Sequence, residues 1–152
     1  MKNIINEIKR VLVPVDLLSS TEILIEFAIM ISRKIGAHLT ILHAFEHVEY
    51  RSECYDSGGI KMEKRLPVDC EIKMNAIIEK YKILFSDIDT VAVHGDPVEC
   101  IIRFVEDESI DMIIIGTHSY RGLKKIILGS VANMIVKKLN CPILLFNPYI
   151  ED

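Results

Sequence analysis

Short, continuously apolar runs alternate with amphipathic stretches along the chain, and this alternation predicts the order of secondary structure. The apolar runs are 11–15, 39–45, 90–93, 112–115 and 143–146. They are rich in Val, Ile and Leu, which is typical of strands buried on both faces of a sheet. Between them, apolar residues recur every three or four positions, which indicates helices with one buried face. The predicted order is β-α-β-α-β-α-β-α-β.

This order favours an α/β fold with a five-stranded parallel sheet, open and twisted, and with helices on both faces (Rossmann-like). We find no internal repeat or linker composition, so the 152 residues (1–152) are predicted to form a single domain. Residues 46–68 break the rhythm, because they are polar and charged and contain Gly58, Gly59 and Pro67. They are predicted to form a variable surface loop.

Local signals predict several helix ends. Residues 19–22 (Ser-Ser-Thr-Glu) fit a capping box with Ser19 as the N-cap. Gly36 is expected to end the first helix in a left-handed conformation. Asp96 and Pro97 are expected to cap and begin the third helix.

Charge and composition exclude several function classes. The 18 basic and 22 acidic residues give a net charge of −4 without a basic stripe, which argues against nucleic-acid binding. The apolar runs are far shorter than a membrane span, so we predict no membrane association and a cytoplasmic location. The four cysteines are at positions 54, 70, 100 and 141, without the close pairs of a structural zinc site. We therefore predict no metal centre.

Candidate chemistry follows two of the predicted strands. Ligands of open α/β sheets collect at the carboxyl ends of the strands, where the strand order reverses. Asp16 comes directly after the first strand, and the glycine-containing segment 116–122 comes directly after the fourth. Gly129 and Ser130 then lead into a helix, whose first amides can bind a phosphate. These residues suggest an anion site but do not identify the ligand.

Two segments carry a resemblance to a known family. RVLVPVDLLSSTEILIEFAIMISRKIGAHLTILHAF (10–45) and DMIIIGTHSYRGLKKIILGSVANMIVKKLNCPILLF (111–146) resemble the universal stress protein family. The resemblance implies a fold of the adenine nucleotide alpha-hydrolase-like type and a homodimer paired through the last strand. It also implies a Gly-x2-Gly-x9-Gly-Ser/Thr nucleotide motif, which falls here on Gly116, Ser119, Gly129 and Ser130. Ser119 departs from the motif, because nucleotide-binding members have a glycine there.

The resemblance implies a set of nucleotide-contacting residues: Pro14, Val15, Asp16, Ala44, Ile115, Gly116, Thr117, Ser119, Gly129, Ser130 and Val131. Asp16 stands where the family has the acid that contacts adenine or ribose, although it could instead cap a turn or the first helix. Ala44 stands at the adenine-facing position, although a small residue there also suits packing. The Ser119 side chain could clash with the ligand, or its hydroxyl could bind a phosphate.

Two functional hypotheses follow from the resemblance. In the first, a homodimeric signalling module binds ATP, AMP or another adenylate, with Mg²⁺ as a companion ion, and responds through an unidentified protein partner. In the second, which Ser119 favours, a dimeric stress protein acts through partners without a nucleotide.

An enzyme is disfavoured, because the chain has no GxxxxGK[ST] loop and assigns no catalytic residue; slow ATP hydrolysis is the most it leaves open. His43, His94 and His118 lie on separate segments and are interpreted as bystanders to any chemistry.

Overall fold

The computed structural model describes residues 8–54, 60–117 and 128–148. In chain order, its elements are β1 (Arg10–Pro14), α1 (Thr21–Ile35), β2 (His38–Phe45), β3 (Glu49–Cys54), β4 (Ile60–Arg65), α2 (Val68–Lys82), β5 (Ile88–His94), α3 (Pro97–Asp107), β6 (Met112–Gly116), α4 (Ser130–Lys138) and β7 (Ile143–Phe146). The five predicted strands correspond to β1, β2, β5, β6 and β7.

These five strands form one sheet in the order β5-β2-β1-β6-β7, and every neighbouring pair is parallel. The chain moves outward from β1 through β2 to β5, then returns to the other side of β1 for β6 and β7. The strand order therefore reverses between β1 and β6. The predicted α/β fold is confirmed, and β7 lies at an edge of the sheet as expected.

Two apolar layers cover the sheet, one on each face. Val11 and Val13 of β1 pack into the layer beneath α1 and α2. Leu12, between them, packs into the layer beneath α3 and α4. This alternation explains why β1 is continuously apolar, because both of its faces are buried. Among the described residues, no helix is long and apolar enough to cross a membrane.

The segment predicted as a loop contains a hairpin. β3 and β4 pair antiparallel in a separate two-stranded sheet, with Glu49 opposite Arg65 and Cys54 opposite Ile60. The sequence of both strands is charged, so the hydrophobic pattern gives no signal for them. Backbone pairing between the two segments defines these strands.

Two of the predicted helix ends are confirmed. Gly36 follows α1 with φ 67°, and its N–H donates to the Ser32 carbonyl. This left-handed conformation is one that glycine adopts without a steric penalty. The Asp96 side chain accepts a hydrogen bond from the Glu99 N–H at 3.0 Å, and Pro97 begins α3.

Candidate functional site

A cavity of about 280 Å³ opens at the carboxyl edge of the sheet, beside the reversal of strand order. β1, β2 and β6 end there, and α1, α3 and α4 begin there. Nine residues predicted from the sequence line it: Pro14, Val15, Asp16, Ala44, Ile115, Gly116, Thr117, Gly129 and Val131. Ser130 is exposed at the start of α4 and is not part of the lining. Ser119 lies outside the described residues.

The turn between β1 and α1 is organised by the carboxylate of Asp16. Its Oδ1 accepts hydrogen bonds from the Leu18 N–H at 2.9 Å and from the Thr21 hydroxyl at 3.3 Å. The predicted capping box at Ser19 is wrong, because the N-cap is Ser20 and its side chain makes no capping hydrogen bond. Asp16 takes over the organising role that the capping box was expected to have.

Leu17, in the same turn, has an unusual backbone conformation for a leucine. Its φ is 61°, in the left-handed region, yet its side chain is buried in the layer beneath α1. Its carbonyl accepts a hydrogen bond from the Lys73 ammonium of α2 at 3.4 Å. The turn that carries Asp16 is therefore held by a buried side chain and by a neighbouring helix.

Asp16 combines the two roles that the sequence left open. One oxygen organises the turn, and the residue also lines the cavity. Within the described ranges, no hydrogen bond to the second oxygen, Oδ2, is found. The carboxylate thus keeps an acceptor that a ligand hydroxyl or amine can use.

His43 joins β2 to the end of β1 at the cavity. Its side chain is buried, and its Nδ1 lies 3.0 Å from the Val15 carbonyl oxygen. The Val15 N–H donates to the Leu42 carbonyl at 2.9 Å, so Val15 is attached to β2 through both of its backbone groups. These two contacts fix the position of the residue that immediately precedes Asp16.

The start of α4 offers backbone amides to the cavity. Gly129 is the N-cap and has no side chain, so it cannot bond the first N–H groups of the helix. The first intrahelical acceptor here is the Gly129 carbonyl, which takes the Asn133 N–H at 2.9 Å. The amides of Ser130, Val131 and Ala132 precede that bond, and the helix dipole adds positive potential beside them. This end of the cavity suits an anion.

The residue that follows β6 is hydrogen-bonded to the edge strand β7. Thr117 is buried, and both its N–H, at 2.8 Å, and its hydroxyl, at 3.4 Å, donate to the Phe146 carbonyl. The Phe146 ring stacks on Phe27 of α1 with centroids 4.4 Å apart. The loop that follows Thr117, with Ser119 and His118, lies outside the described residues.

The polar groups of the cavity are suited to hydrogen bonding with a ligand. The described residues include no group of three or more His, Cys, Asp or Glu that could hold a metal ion. Burial raises the pKa of the Cys100 thiol in α3, so this thiol is protonated at neutral pH. What the cavity presents is a carboxylate, an imidazole and a helix start, set among apolar walls.

Sequence reasoning missed eight lining residues: Ser20, Thr21, Leu24, Leu42, His43, Pro97, Ile101 and Ala132. Leu24, Ile101 and Ala132 belong to apolar helix faces, and their sequence pattern does not distinguish core from cavity wall. His43 is adjacent to Ala44, and because successive strand residues face opposite sides of a sheet, a lining position for Ala44 does not predict one for His43.

The profile of the universal stress protein family matches residues 7–147. A universal stress protein of Methanocaldococcus jannaschii is 27% identical over 150 residues, covering 90% of this chain and 93% of the relative.

Two solved structures share the fold. A universal stress protein in complex with cAMP has a TM-score of 0.68 at 19% identity, and the match covers 95% of this chain and 100% of that one. The universal stress protein from Archaeoglobus fulgidus in complex with dAMP has a TM-score of 0.63 at 16% identity, with coverage of 92% and 98%. Since the family profile spans nearly all of its length, the chain belongs to the universal stress protein family.

Proposed function

We propose that this protein binds an adenine nucleotide in the cavity and acts in the cytoplasm as a nucleotide-responsive stress or regulatory module. The observation that carries the proposal is the cavity itself, which brings the uncapped start of α4 and the Asp16 carboxylate together around apolar walls. An apolar slot with a few placed polar groups is the usual form of a small-molecule site. Two relatives of the same fold are complexes with cAMP and dAMP, which supports an adenine ligand.

The residues present fit the three parts of a nucleotide. The amides of Ser130 and Val131 suit the phosphates, as at other helix starts. Asp16 suits the sugar hydroxyls or a base amine, because its carboxylate only accepts hydrogen bonds. The apolar walls, among them Leu24 and Ile101, suit the flat base. ATP, AMP or another adenylate satisfies this chemistry, and Mg²⁺ would accompany the phosphates of ATP.

Titration calorimetry of the purified protein with Mg-ATP tests the proposal, and thermal unfolding with the same ligand provides a second readout. A ligand at 100 times its dissociation constant stabilises a protein by about 2.7 kcal/mol, so a bound nucleotide raises the melting temperature. Mg²⁺ with inorganic triphosphate is the control for binding through phosphate alone. No heat and no thermal shift with Mg-ATP would contradict the proposal.

That negative result would favour the alternative function, a dimeric stress protein that acts through protein partners without a nucleotide. Ser119 at the motif's second glycine position is the feature that favours it. Native mass spectrometry of freshly purified protein separates the two functions, because it reports a co-purifying nucleotide and the oligomeric state together.

We further propose that two copies pair through β7. This strand lies at an edge of the sheet, and an apolar edge is open to pairing with another chain. Leu145 of β7 is 44% exposed, and an isologous interface between two copies of this strand would cover it. We expect light scattering to give a dimer mass, and Leu145→Lys to give a folded monomer. A wild-type protein that is monomeric at micromolar concentration would contradict the pairing.

A further inference from the structure

His43 has one ring nitrogen whose role the fold determines and one whose role it leaves open. The side chain is 8% exposed and lines the cavity. Nδ1 contacts the Val15 carbonyl oxygen at 3.0 Å, and a carbonyl oxygen only accepts hydrogen bonds, so Nδ1 carries the proton. In the neutral ring, Nε2 then has a lone pair and is an acceptor. No hydrogen bond to Nε2 is found within the described part of the chain.

The position of His43 in the sheet determines which part of a ligand it can reach. The phosphate end of the cavity is the start of α4, which follows β6, whereas His43 lies on β2. β1 separates these strands, so they are about 10 Å apart at the usual strand spacing of roughly 4.8 Å. Asp16, at the end of β1, lies between them. A nucleotide with its phosphates at α4 therefore has its sugar near β1 and its base near β2.

We propose that His43 Nε2 accepts a hydrogen bond from the exocyclic amino group of the base, and that this contact selects 6-amino purines over 6-oxo purines. The inference rests on the proposed function. A 6-oxo purine presents a carbonyl lone pair to the Nε2 lone pair, so the two repel, and the acceptor stays unsatisfied once the base covers it. Sites built on a hydrogen bond reject ligands that lack the partner group, because a buried polar group is left unpaired.

Calorimetry with ATP and with ITP, whose base has an oxygen in place of the amino group, tests the proposal on the wild type and two variants. His43→Asn keeps an N–H near the position of Nδ1 but has nothing at Nε2. We expect the wild type to prefer ATP by about 10-fold or more, which is the size of one hydrogen bond. We expect His43→Asn to lose ATP affinity while keeping that for ITP, so that the two differ by less than about threefold.

His43→Gln is the matched variant, because its amide oxygen can take the acceptor position of Nε2. It should keep the preference for ATP even if overall affinity falls. It also keeps the test decisive if His43→Asn does not fold. Thermal unfolding without ligand identifies which variants are folded.

Several outcomes would overturn the inference: an unchanged ATP-to-ITP ratio in His43→Asn, an equal loss of both nucleotides, or a lost preference in folded His43→Gln. An equal loss would mean that Nε2 contacts the sugar or only supports the fold. A wild type that binds ATP and ITP equally would overturn this inference and leave the proposed function standing. A wild type that binds neither would overturn both.

Discussion

One histidine begins β2 and another lies near its end, and their surroundings differ. His38, the first residue of the strand, has Nδ1 2.6 Å from the Asp87 carboxylate and Nε2 3.4 Å from that of Asp89. His43, five residues later, is buried and has a described partner only at Nδ1. The first histidine uses both nitrogens to join elements of the fold, whereas the second keeps one that faces no partner in the described residues.

Two aspartates, one at the amino ends of the strands (the amino edge) and one at their carboxyl ends (the carboxyl edge), also differ in what their carboxylates bind. At the amino edge, Asp111 Oδ2 accepts the N–H groups of Lys9 and Arg10 at 2.9 and 3.0 Å, which fastens the start of β1 to β6. At the carboxyl edge, Asp16 organises its turn through Oδ1 alone. The amino edge thus uses its polar groups to hold strands together, whereas the carboxyl edge leaves Asp16 Oδ2 without a partner among the described residues. Substitutions at the two edges should therefore affect different measurements.

The largest effect is expected at the start of α4, where a proline can remove a backbone donor. Ser130 is the first helical residue, a position that tolerates proline because its N–H has no intrahelical partner. Gly129 has φ −58° and ψ 158°, the conformation that a residue before proline prefers. We expect Ser130→Pro to weaken Mg-ATP binding by about 10- to 100-fold without unfolding the protein, measured by calorimetry and circular dichroism.

Ser130→Ala is the matched control, because it removes the hydroxyl and keeps the amide. We expect it to weaken binding by about 3- to 10-fold, less than the proline variant. Equal affinities for Ser130→Pro and the wild type would show that the phosphates do not lie at this helix start.

Effects of intermediate size are expected at Asp16 and Asp111. Substitution of Asp16 should lower ATP affinity, and substitution of Asp111 should lower stability. Asp16→Asn should weaken Mg-ATP about 10-fold, because it keeps the Oδ1 acceptor that organises the turn and loses the charged acceptor Oδ2. Asp111→Ala should instead lower the free energy of unfolding by about 1 kcal/mol, since two N–H groups lose their carboxylate partner. Calorimetry and urea unfolding on both variants would complete the comparison. Loss of ATP affinity in Asp111→Ala at full stability would contradict the separation of the two edges.

Two glycines give a smaller effect of the same kind. A Cβ on Gly116, in the cavity wall, would lie 3.4 Å from Leu24 Cδ2, so the fold accepts Gly116→Ala with little change. We expect that methyl group to weaken Mg-ATP by about threefold, because it occupies ligand space. Gly36 has φ +67°, so Gly36→Ala should lower stability by about 1 kcal/mol and leave affinity unchanged. If Gly36→Ala lost ATP affinity and Gly116→Ala did not, the result would count against the cavity as the binding site.

The smallest effect is expected for His38→Ala. Its two carboxylate partners are more than half exposed, and exposed ion pairs contribute little. Urea unfolding should show a loss below about 0.5 kcal/mol, and calorimetry should show unchanged ATP affinity. A large loss of affinity would mean that the amino edge communicates with the cavity.

Local chemistry made much of the fold predictable. The left-handed turn at Gly36 and the Asp96–Pro97 helix start depend on residues adjacent in sequence, and both appear as predicted. The hairpin of β3 and β4 was missed, because its strands are charged and the hydrophobic pattern gives no signal for their backbone pairing.

The candidate site was predictable only in part, because some of its contacts join residues that are distant in sequence. Nine lining residues followed from strand ends and the family resemblance. The contact between His43 and the Val15 carbonyl joins residues 28 positions apart, and only the folded chain reveals it. This contact holds His43, which the sequence predicts to be a bystander, in the wall of the cavity.

The left-handed backbone of Leu17 couples strain in the turn to burial of its side chain in the core. That conformation costs a leucine roughly 1–2 kcal/mol, and burying its side chain offsets roughly 1.5–3 kcal/mol. Strain and burial are therefore released together: once the side chain leaves the core, the backbone relaxes and Asp16 loses its orientation. We expect the turn to unfold as one unit, so that burial of Leu17 and the orientation of Asp16 are lost in the same step.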